Sequence, residues 1–522
     1  MLRGRWFWPI LSGLFLLGAY ACASQAPCGA WRNQVLGVPF WDSCDPGGAY
    51  FGSAAHLFGP SRIPAFVGHP GLTLHWLLWA VIQISYRVHL LSGGSGEFPD
   101  FAARNIYQLY TACAVAIAGV HILSFVVLER LALRLFSDLT TARLAVLGYA
   151  TSFPVLYYLV RISVEPFVVL FFLSTVLAVW QGQDALQRNE RRAAIGYSVL
   201  AALACAAGFV SKVHLLGPLP LFIFAQLLLG GSLNTIDRSG MRQRATLAAW
   251  FAGSFILFFV VSGLQVDWFA FYHFWSATVR EDSVIGAHPA VSHSEILSQA
   301  LVVLACEGLF VVVSLYGLRW YWQEHAEQRS RVCWLFGYAA VLLPLTFMRA
   351  QFHYFFIPIV VGAIFFGPGV RRLGTRMVER PAGRALAATL LLHALAGWSF
   401  FDAKRHDTEI FRREFQPYEQ ALAQTLPSEL IGVLLVPGQP APDLFLIHGM
   451  YPSFIPDNFP VPQAFRNLFV VVYAPSEAVL SKEEQEQFRQ HKIGTIIDQR
   501  RIPAEAMRFD AWARRMNKIN TP

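Results

Sequence analysis

The chain is 522 residues long, 55% hydrophobic and 14% charged, with a mean hydropathy of +0.44; a soluble domain of that size carries roughly 25% charged residues. That composition excludes a soluble enzyme, because apolar runs of about 18 residues or more, each able to cross ~30 Å of hydrocarbon, recur to about residue 402. The formal charge of +8 sits in arginine-rich loops between those runs, as the positive-inside rule expects, and requires no nucleic-acid partner.

Arg3 and Arg5 precede the apolar run from Trp6 to Ala21, and Ala21-Cys22-Ala23 resembles a small-residue cleavage site. Many spans follow, so the segment reads as a retained signal-anchor; either reading puts Ser24 outside. Residues 24–71 then form a first outer loop. Gly71–Leu90 carries Arg87, His75 and His89 among Trp76, Trp79 and Tyr86. That mixture suits a re-entrant or interfacial helix better than a span.

Farther on, the loops Gln181–Arg192, Asp237–Arg244, Arg319–Arg331 and Arg371–Arg384 are strongly basic and are assigned to the cytoplasmic side. Even numbers of apolar segments lie between them: 193–210 with 212–231, 245–264 with 296–317, and 332–348 with 352–370. Upstream, 142–160 pairs with 163–181, which places Glu129–Arg143 inside and makes 106–128 an inward span. A last span at 385–402 leads out. The count is about eleven, with twelve as the alternative.

After residue 403 the texture changes. Val433–Val436, Leu444–Ile447, Leu468–Tyr473 and Ile493–Ile497 read as strands, and Ser481–Gln490 as a helix. The expected architecture is therefore a polytopic α-helical membrane domain, 1–402, followed by a small outer α/β domain, 403–522. The second part lacks a phosphate loop and any hydrolase motif, and reads as a lid or docking domain.

The seven cysteines form no CxxC pair and no zinc-ligand spacing. Cys113, Cys205, Cys306 and Cys333 read as small packing residues in apolar segments. Cys28 and Cys44 share the outer loop, where an oxidising compartment permits a disulfide. The absence of an N-x-S/T site favours a bacterial inner membrane, with the outer face in the periplasm.

Ionisable residues at membrane depth cost about 2.5–3.5 kcal/mol each, so their grouping is informative. Under the topology above, Asp42, Asp45, His69, Arg104, Arg161, Glu165, Lys212, His214, Arg349 and His353 all fall at the outer ends of spans or in outer loops. Asp267, His273, Arg280, Glu281 and Asp282 join them in the 265–295 loop. A sugar carried on a polyprenyl phosphate presents its reacting carbon just outside the hydrocarbon. Cations at span ends would stabilise the departing phosphate, and a carboxylate would take the proton of an acceptor hydroxyl. Transport of lipid-linked sugars is the competing reading, favoured by mid-span charge, for which Glu307 is the main candidate. A non-catalytic subunit of an envelope glycan assembly is the third.

Trp41-Asp42-Ser43-Cys44-Asp45, then Tyr50, Ala54-Ala55 and His69-Pro70-Gly71-Leu72 resemble the first outer loop of GT-C glycosyltransferases. Within that group the likeness is to the protein O-mannosyltransferase and aminoarabinose transferase branches, the family 39-like enzymes. Arg161-Ile162-Ser163-Val164-Glu165-Pro166, Gly208-Phe209-Val210-Ser211-Lys212, and Arg349 with His353-Tyr354 continue the ordered likeness to about residue 400. The resemblance implies an inverting transferase, with a polyprenyl-phosphate sugar as donor and a glycan, lipid or protein as acceptor. It implies Asp45 as base, by its spacing to Tyr50, with Asp42 as alternative, since the family's adjacent acidic pair is split here. It also implies phosphate contacts from Arg104, Lys212, Arg349 and His353. Tyr50 and His69 would support the loop, while Glu165 would assist the acceptor or hold Arg161. Members differ in metal use, so no cofactor is assigned and a divalent metal stays open.

Overall fold

The computed structural model describes residues 6–25, 31–32, 39–40, 71–96, 105–159, 162–229, 238–266, 293–349, 355–376, 431–434, 470–471 and 493–496, with a few isolated positions including Tyr50, Ala54, Phe98, Phe101 and Leu395. The protein is a polytopic helical membrane protein. Five of the described helical segments are long and apolar enough to cross a bilayer: Gln108–Phe136, Glu165–Gln187, Arg191–Ser211, Gly240–Gly263 and Phe356–Gly374.

In chain order, α1 (Phe7–Gln25) precedes a two-stranded antiparallel ribbon of β1 (Trp31–Arg32) and β2 (Pro39–Phe40). The helices α2 (Leu72–Leu91), α3 (Ile106–Phe136), α4 (Leu139–Ala150) and α5 (Phe153–Tyr158) follow. After them come α6 (Glu165–Gln187), α7 (Arg191–Ser211), α8 (Val213–Leu216), α9 (Leu219–Leu229) and α10 (Arg238–Gly263). The helical series closes with α11 (His293–Glu324), α12 (Arg329–Arg349) and α13 (Phe356–Arg376). The expected segment 71–90 is thus the single helix α2, packed on α3 and α7. The expected span 385–402 lies outside the described residues.

Two expected spans are not continuous helices. The segment 142–160 is divided into α4 and α5 at Thr151-Ser152, immediately before Phe153-Pro154; Pro154 fits the first turn of α5, where its missing N–H costs nothing. The new helix start still needs acceptors for its orphan donors. Glu307 of α11 supplies one: its Oε1 accepts the Phe153 N–H, and the side chain is 1% exposed. The segment 212–231 is likewise divided into α8 and α9 around Gly217-Pro218. The sequence reading missed both breaks because apolar composition runs straight through them.

Among the described residues the largest core cluster is built around α3, α6, α7 and α13. Each helix buries one stripe and leaves leucine, valine and aromatic residues outward, as a bilayer allows: Ile256, Leu257, Val260 and Val261 of α10 are all exposed. Where α11 meets α13, Gly317 lies against the backbone at Phe365 and Gly369, and a Cβ there would overlap it. Small residues let these backbones approach, the usual means of helix association in lipid.

The basic loops meet at one end of the bundle. Arg134 of α3 and Arg331 of α12 both donate to Asp184 of α6. Arg143 pairs with Glu129 at 3.3 Å and Arg371 with Asp138 at 2.7 Å, while Arg372 approaches Glu324 at 3.8 Å. Arg331 also lies over the buried Trp180 ring, 5.4 Å from its centroid. Between α6 and α7, Arg188 makes 2.9 Å hydrogen bonds to Glu190 and holds that carboxyl below its usual range. Segments 129–143, 181–192 and 319–331 therefore share a face with residues 371–372, as the even spacing of the basic loops in spans requires.

Beyond the bundle, β3 (Ile431–Leu434), β4 (Val470–Val471) and β5 (Ile493–Ile496) form a parallel sheet in the order β4-β3-β5. The expected strand 444–447 and helix 481–490 lie outside the described residues.

Candidate active site

The end of the bundle away from the arginines is organised by two helix termini. α6 starts at Glu165-Pro166, with proline in its first turn and a carboxylate where the helix dipole favours one. α7 stops at Ser211 because Lys212 is extended, with φ −154° and ψ 91°. Lys212 joins α7 to α8, and its ammonium donates to Glu165 Oε1. Both side chains are 2% exposed. An isolated charge so deeply buried is strongly disfavoured, so each residue sustains the other's charge.

The first outer loop is tied to this junction through α2. Gly71, at the N-cap of α2, has φ +51°, and its N–H donates to Ser211 O at 3.1 Å. Two residues on, Thr73 Oγ1 and Ser211 Oγ are 2.5 Å apart. The ring of the buried Tyr50 lies where a Cβ on Gly71 would project, and packs against His75 with centroids 5.2 Å apart. The glycine in His69-Pro70-Gly71 therefore has a steric and a conformational reason: it adopts the left-handed region and makes room for Tyr50.

On the other side of Glu165 stands α3. Ser124 Oγ donates to Pro166 O at 3.3 Å, one turn from His121. His121 is fully buried, within electrostatic reach of the Glu165 carboxylate. Its ring is 6.3 Å from that of Phe125 and 6.5 Å from that of Phe356. Among the described residues neither imidazole nitrogen has a hydrogen-bond partner, and the Ser163 hydroxyl lies beside the Glu165 carboxylate.

Tyr50, Glu165 and Lys212 are thus brought into one continuous neighbourhood running Tyr50, Gly71, Ser211, Lys212, Glu165, His121. Their pairing differs in one respect from the expectation: Glu165 is engaged by Lys212, 47 residues away, so the ammonium expected at a phosphate already has a carboxylate partner. Arg349 is the last residue of α12, with its side chain outside the described set. Asp42, Asp45, His69, Arg104, Arg161 and His353 lie outside the described residues altogether, as do Cys28 and Cys44. Among the described residues no group of three or more His, Cys, Asp or Glu side chains is placed to hold a metal ion. His121 was missed in the sequence because it sits alone in an apolar run; the available signal was an imidazole at membrane depth.

A polytopic bundle with arginine pairs at one end, and the buried Glu165–Lys212 pair near Tyr50 and Gly71 at the other, is similar in fold to solved membrane-enzyme structures. The chain aligns with the crystal structure of ArnT from Cupriavidus metallidurans bound to undecaprenyl phosphate at a TM-score of 0.51 and 12% identity, covering 96% of this chain and 90% of that one. With the apo state of the same enzyme the TM-score is 0.52 at 12% identity, covering 93% and 88% of the two chains. No family model and no curated protein sequence matches the chain.

Proposed function

We infer that the protein transfers a sugar from a polyprenyl-phosphate donor to a hydroxyl acceptor, at the membrane face opposite its arginine-rich end. One observation carries the reading: within a GT-C fold, Tyr50 and Gly71 of the first loop are locked to the Lys212–Glu165 junction. A structurally similar enzyme is recorded with undecaprenyl phosphate bound, which supports a lipid phosphate as the carrier.

In the proposed reaction a carboxylate of the first loop, Asp45 or alternatively Asp42, accepts the proton of the acceptor hydroxyl. That oxygen attacks the anomeric carbon, the bond from that carbon to the phosphate oxygen breaks, and polyprenyl phosphate departs with the bonding pair. Arg104, Arg349 and His353 are assigned to the phosphate, where cations oppose the charge that develops. Lys212 is assigned there too, its charge sustained by Glu165. The arginine-rich face is assigned to the cytoplasm, which puts the reaction in the periplasm of a bacterial inner membrane. A transporter is expected to carry mid-span charge, for which Glu307 is the main candidate, and that carboxylate accepts the Phe153 N–H at the start of α5.

The test is mass spectrometry of lipid-linked sugars and envelope glycans in a deletion strain complemented with wild type, Asp45→Asn or Asp42→Asn. Accumulated donor with a missing glycan sugar, restored by wild type but not by one of the two variants, is the expected outcome. Full activity in both variants removes the assigned base. Unchanged glycans in the deletion strain remove the function.

A further inference from the structure

An open-sided cleft of about 230 Å³ lies between α6, α9 and α12, at the arginine-rich end of the bundle. Val176 and Trp180 of α6 line its floor, Phe222 and Gln226 of α9 one wall, and Arg331 and Trp334 of α12 the other. The floor is buried, whereas Phe222, Arg331 and Trp334 are only half-buried and form the mouth. Its polar residues, Trp180, Gln226 and Arg331, gather at the arginine end. Two helical turns farther into the bundle the lining is aromatic, with the Phe172 and Tyr338 rings stacked at 5.2 Å between centroids. From Trp180 to Phe172 the cleft runs about 12 Å along α6, at 1.5 Å per residue. A greasy slot with polar groups at one end matches a hydrocarbon chain beneath a headgroup.

The polar end is rich in donors and positive charge. Asp184 accepts from both Arg134 and Arg331, so a single carboxylate answers two guanidinium groups and one positive charge is left over. Trp180 is fully buried, and its Nε1 has no acceptor among the described residues; Arg134 Nε has none either. An indole N–H can only donate, and buried indoles ordinarily find a partner. Arg331 spends N–H groups on Asp184 and, at 3.2 Å, on Gln328, out of the five a guanidinium carries. The occupant must therefore accept hydrogen bonds, and the surplus charge selects an anionic group at the mouth. Basic pockets between membrane helices hold phospholipid headgroups for the same reason.

We propose that the cleft between α6, α9 and α12 binds a phospholipid of the adjacent leaflet, with its phosphate at Arg331 and one acyl chain between Phe222 and Trp334. An ester carbonyl at the head of that chain accepts from the Trp180 or Gln226 N–H. The site lies at the opposite end of the bundle from the Lys212–Glu165 junction, so it goes beyond the transferase reading and does not depend on it. Its occupant completes the packing of α9, the short helix that follows the break at Gly217-Pro218, against α12. Binding to the folded protein alone raises its stability by linkage.

The experiment is native mass spectrometry of the full-length protein in detergent, titrated with phosphatidylglycerol, with diacylglycerol of the same chains, and with undecaprenyl phosphate. Melting of each protein is followed with and without lipid. Wild type is expected to bind one phosphatidylglycerol saturably and to melt higher with it. Diacylglycerol, which lacks the phosphate, should bind about tenfold or more weakly. Val176→Phe fills the slot and should weaken phosphatidylglycerol by about tenfold or more. Trp180→Phe keeps a ring but removes the N–H, and should weaken it by about threefold to tenfold, the loss of one hydrogen bond. It is the milder arm, and it decides the matter if Val176→Phe melts lower than wild type without lipid. Absence of a saturable site, equal affinity for diacylglycerol, or wild-type affinity in Trp180→Phe overturns the proposal. One-for-one displacement of phosphatidylglycerol by undecaprenyl phosphate also overturns it, and assigns the cleft to that lipid instead.

Discussion

Lys212 and Glu165, 47 residues apart, close an ion pair at the meeting point of α6, α7 and α8, with 2% of either side chain exposed. A pair this deep contributes less than the damage done by breaking it. Lys212→Met is expected to cost about 3–5 kcal/mol, because it strands a carboxylate in the core. Glu165→Leu strands the ammonium and should cost a similar amount. The double variant should recover most of the loss, since two apolar side chains of similar volume need no counter-charge. Unfolding of the four proteins in one detergent measures the coupling; costs that simply add would show that the two charges are not sustaining each other.

Gly71→Ala carries two separable penalties. A side chain at φ +51° is strained by roughly 1–2 kcal/mol, and its Cβ would enter the ring of Tyr50. Placed in a Tyr50→Ala background, the same substitution should keep the first penalty and lose the second. The expected difference between backgrounds is about 1–3 kcal/mol, the usual range for overpacking. If the cost is the same in both, Tyr50 is not what Gly71 makes room for.

Hydropathy and loop charge carry much of the architecture because the bilayer imposes a local rule on each span. The expected span 163–181 begins two residues before α6 (Glu165–Gln187) and otherwise falls within it, and 193–210 falls inside α7 (Arg191–Ser211). The even spacing of basic loops anticipates that Arg134, Asp184 and Arg331 share one end. Helix breaks are less legible: Pro154 and Pro218 lie in runs whose apolarity never falters, and proline starts a helix as readily as it ends one. Pairings between distant spans are hidden altogether. Glu165 was expected to aid an acceptor or hold Arg161, and only the packing of α6 against α7 reveals Lys212 as its partner. His121 escaped because a single imidazole does not disturb an apolar pattern, although its cost at that depth does.

Asp184 is the knot of the opposite end, holding α3 and α12 to α6 through two arginines. Asp184→Asn keeps the shape but loses the charge. It should lower stability by roughly 1–3 kcal/mol, the range for hydrogen bonds to a charged group, because these side chains keep some solvent contact. Donor-lipid affinity should not change, since the far end of the bundle holds the Lys212–Glu165 junction. Paired melting and undecaprenyl-phosphate binding measurements check both halves. A selective loss of binding would place the lipid phosphate at the wrong end of the molecule.

Glu307 separates a structural carboxylate from a translocating one. It lies within a long helix, where charge is expensive, yet its Oε1 accepts the first N–H of α5, left open where α4 ends. A hydrogen-bond acceptor is all that this contact requires. Glu307→Gln retains a carbonyl oxygen there and should cost under about 1 kcal/mol, whereas Glu307→Leu removes the acceptor and should cost about 1–3 kcal/mol. Activity should follow stability in both. An ion-coupled transporter reverses that order of importance: there the ionisable proton is the essential feature, so Glu307→Gln would abolish function in a protein that melts like wild type. The glutamine variant therefore decides, and full function in it leaves the carboxylate with nothing to carry across the membrane.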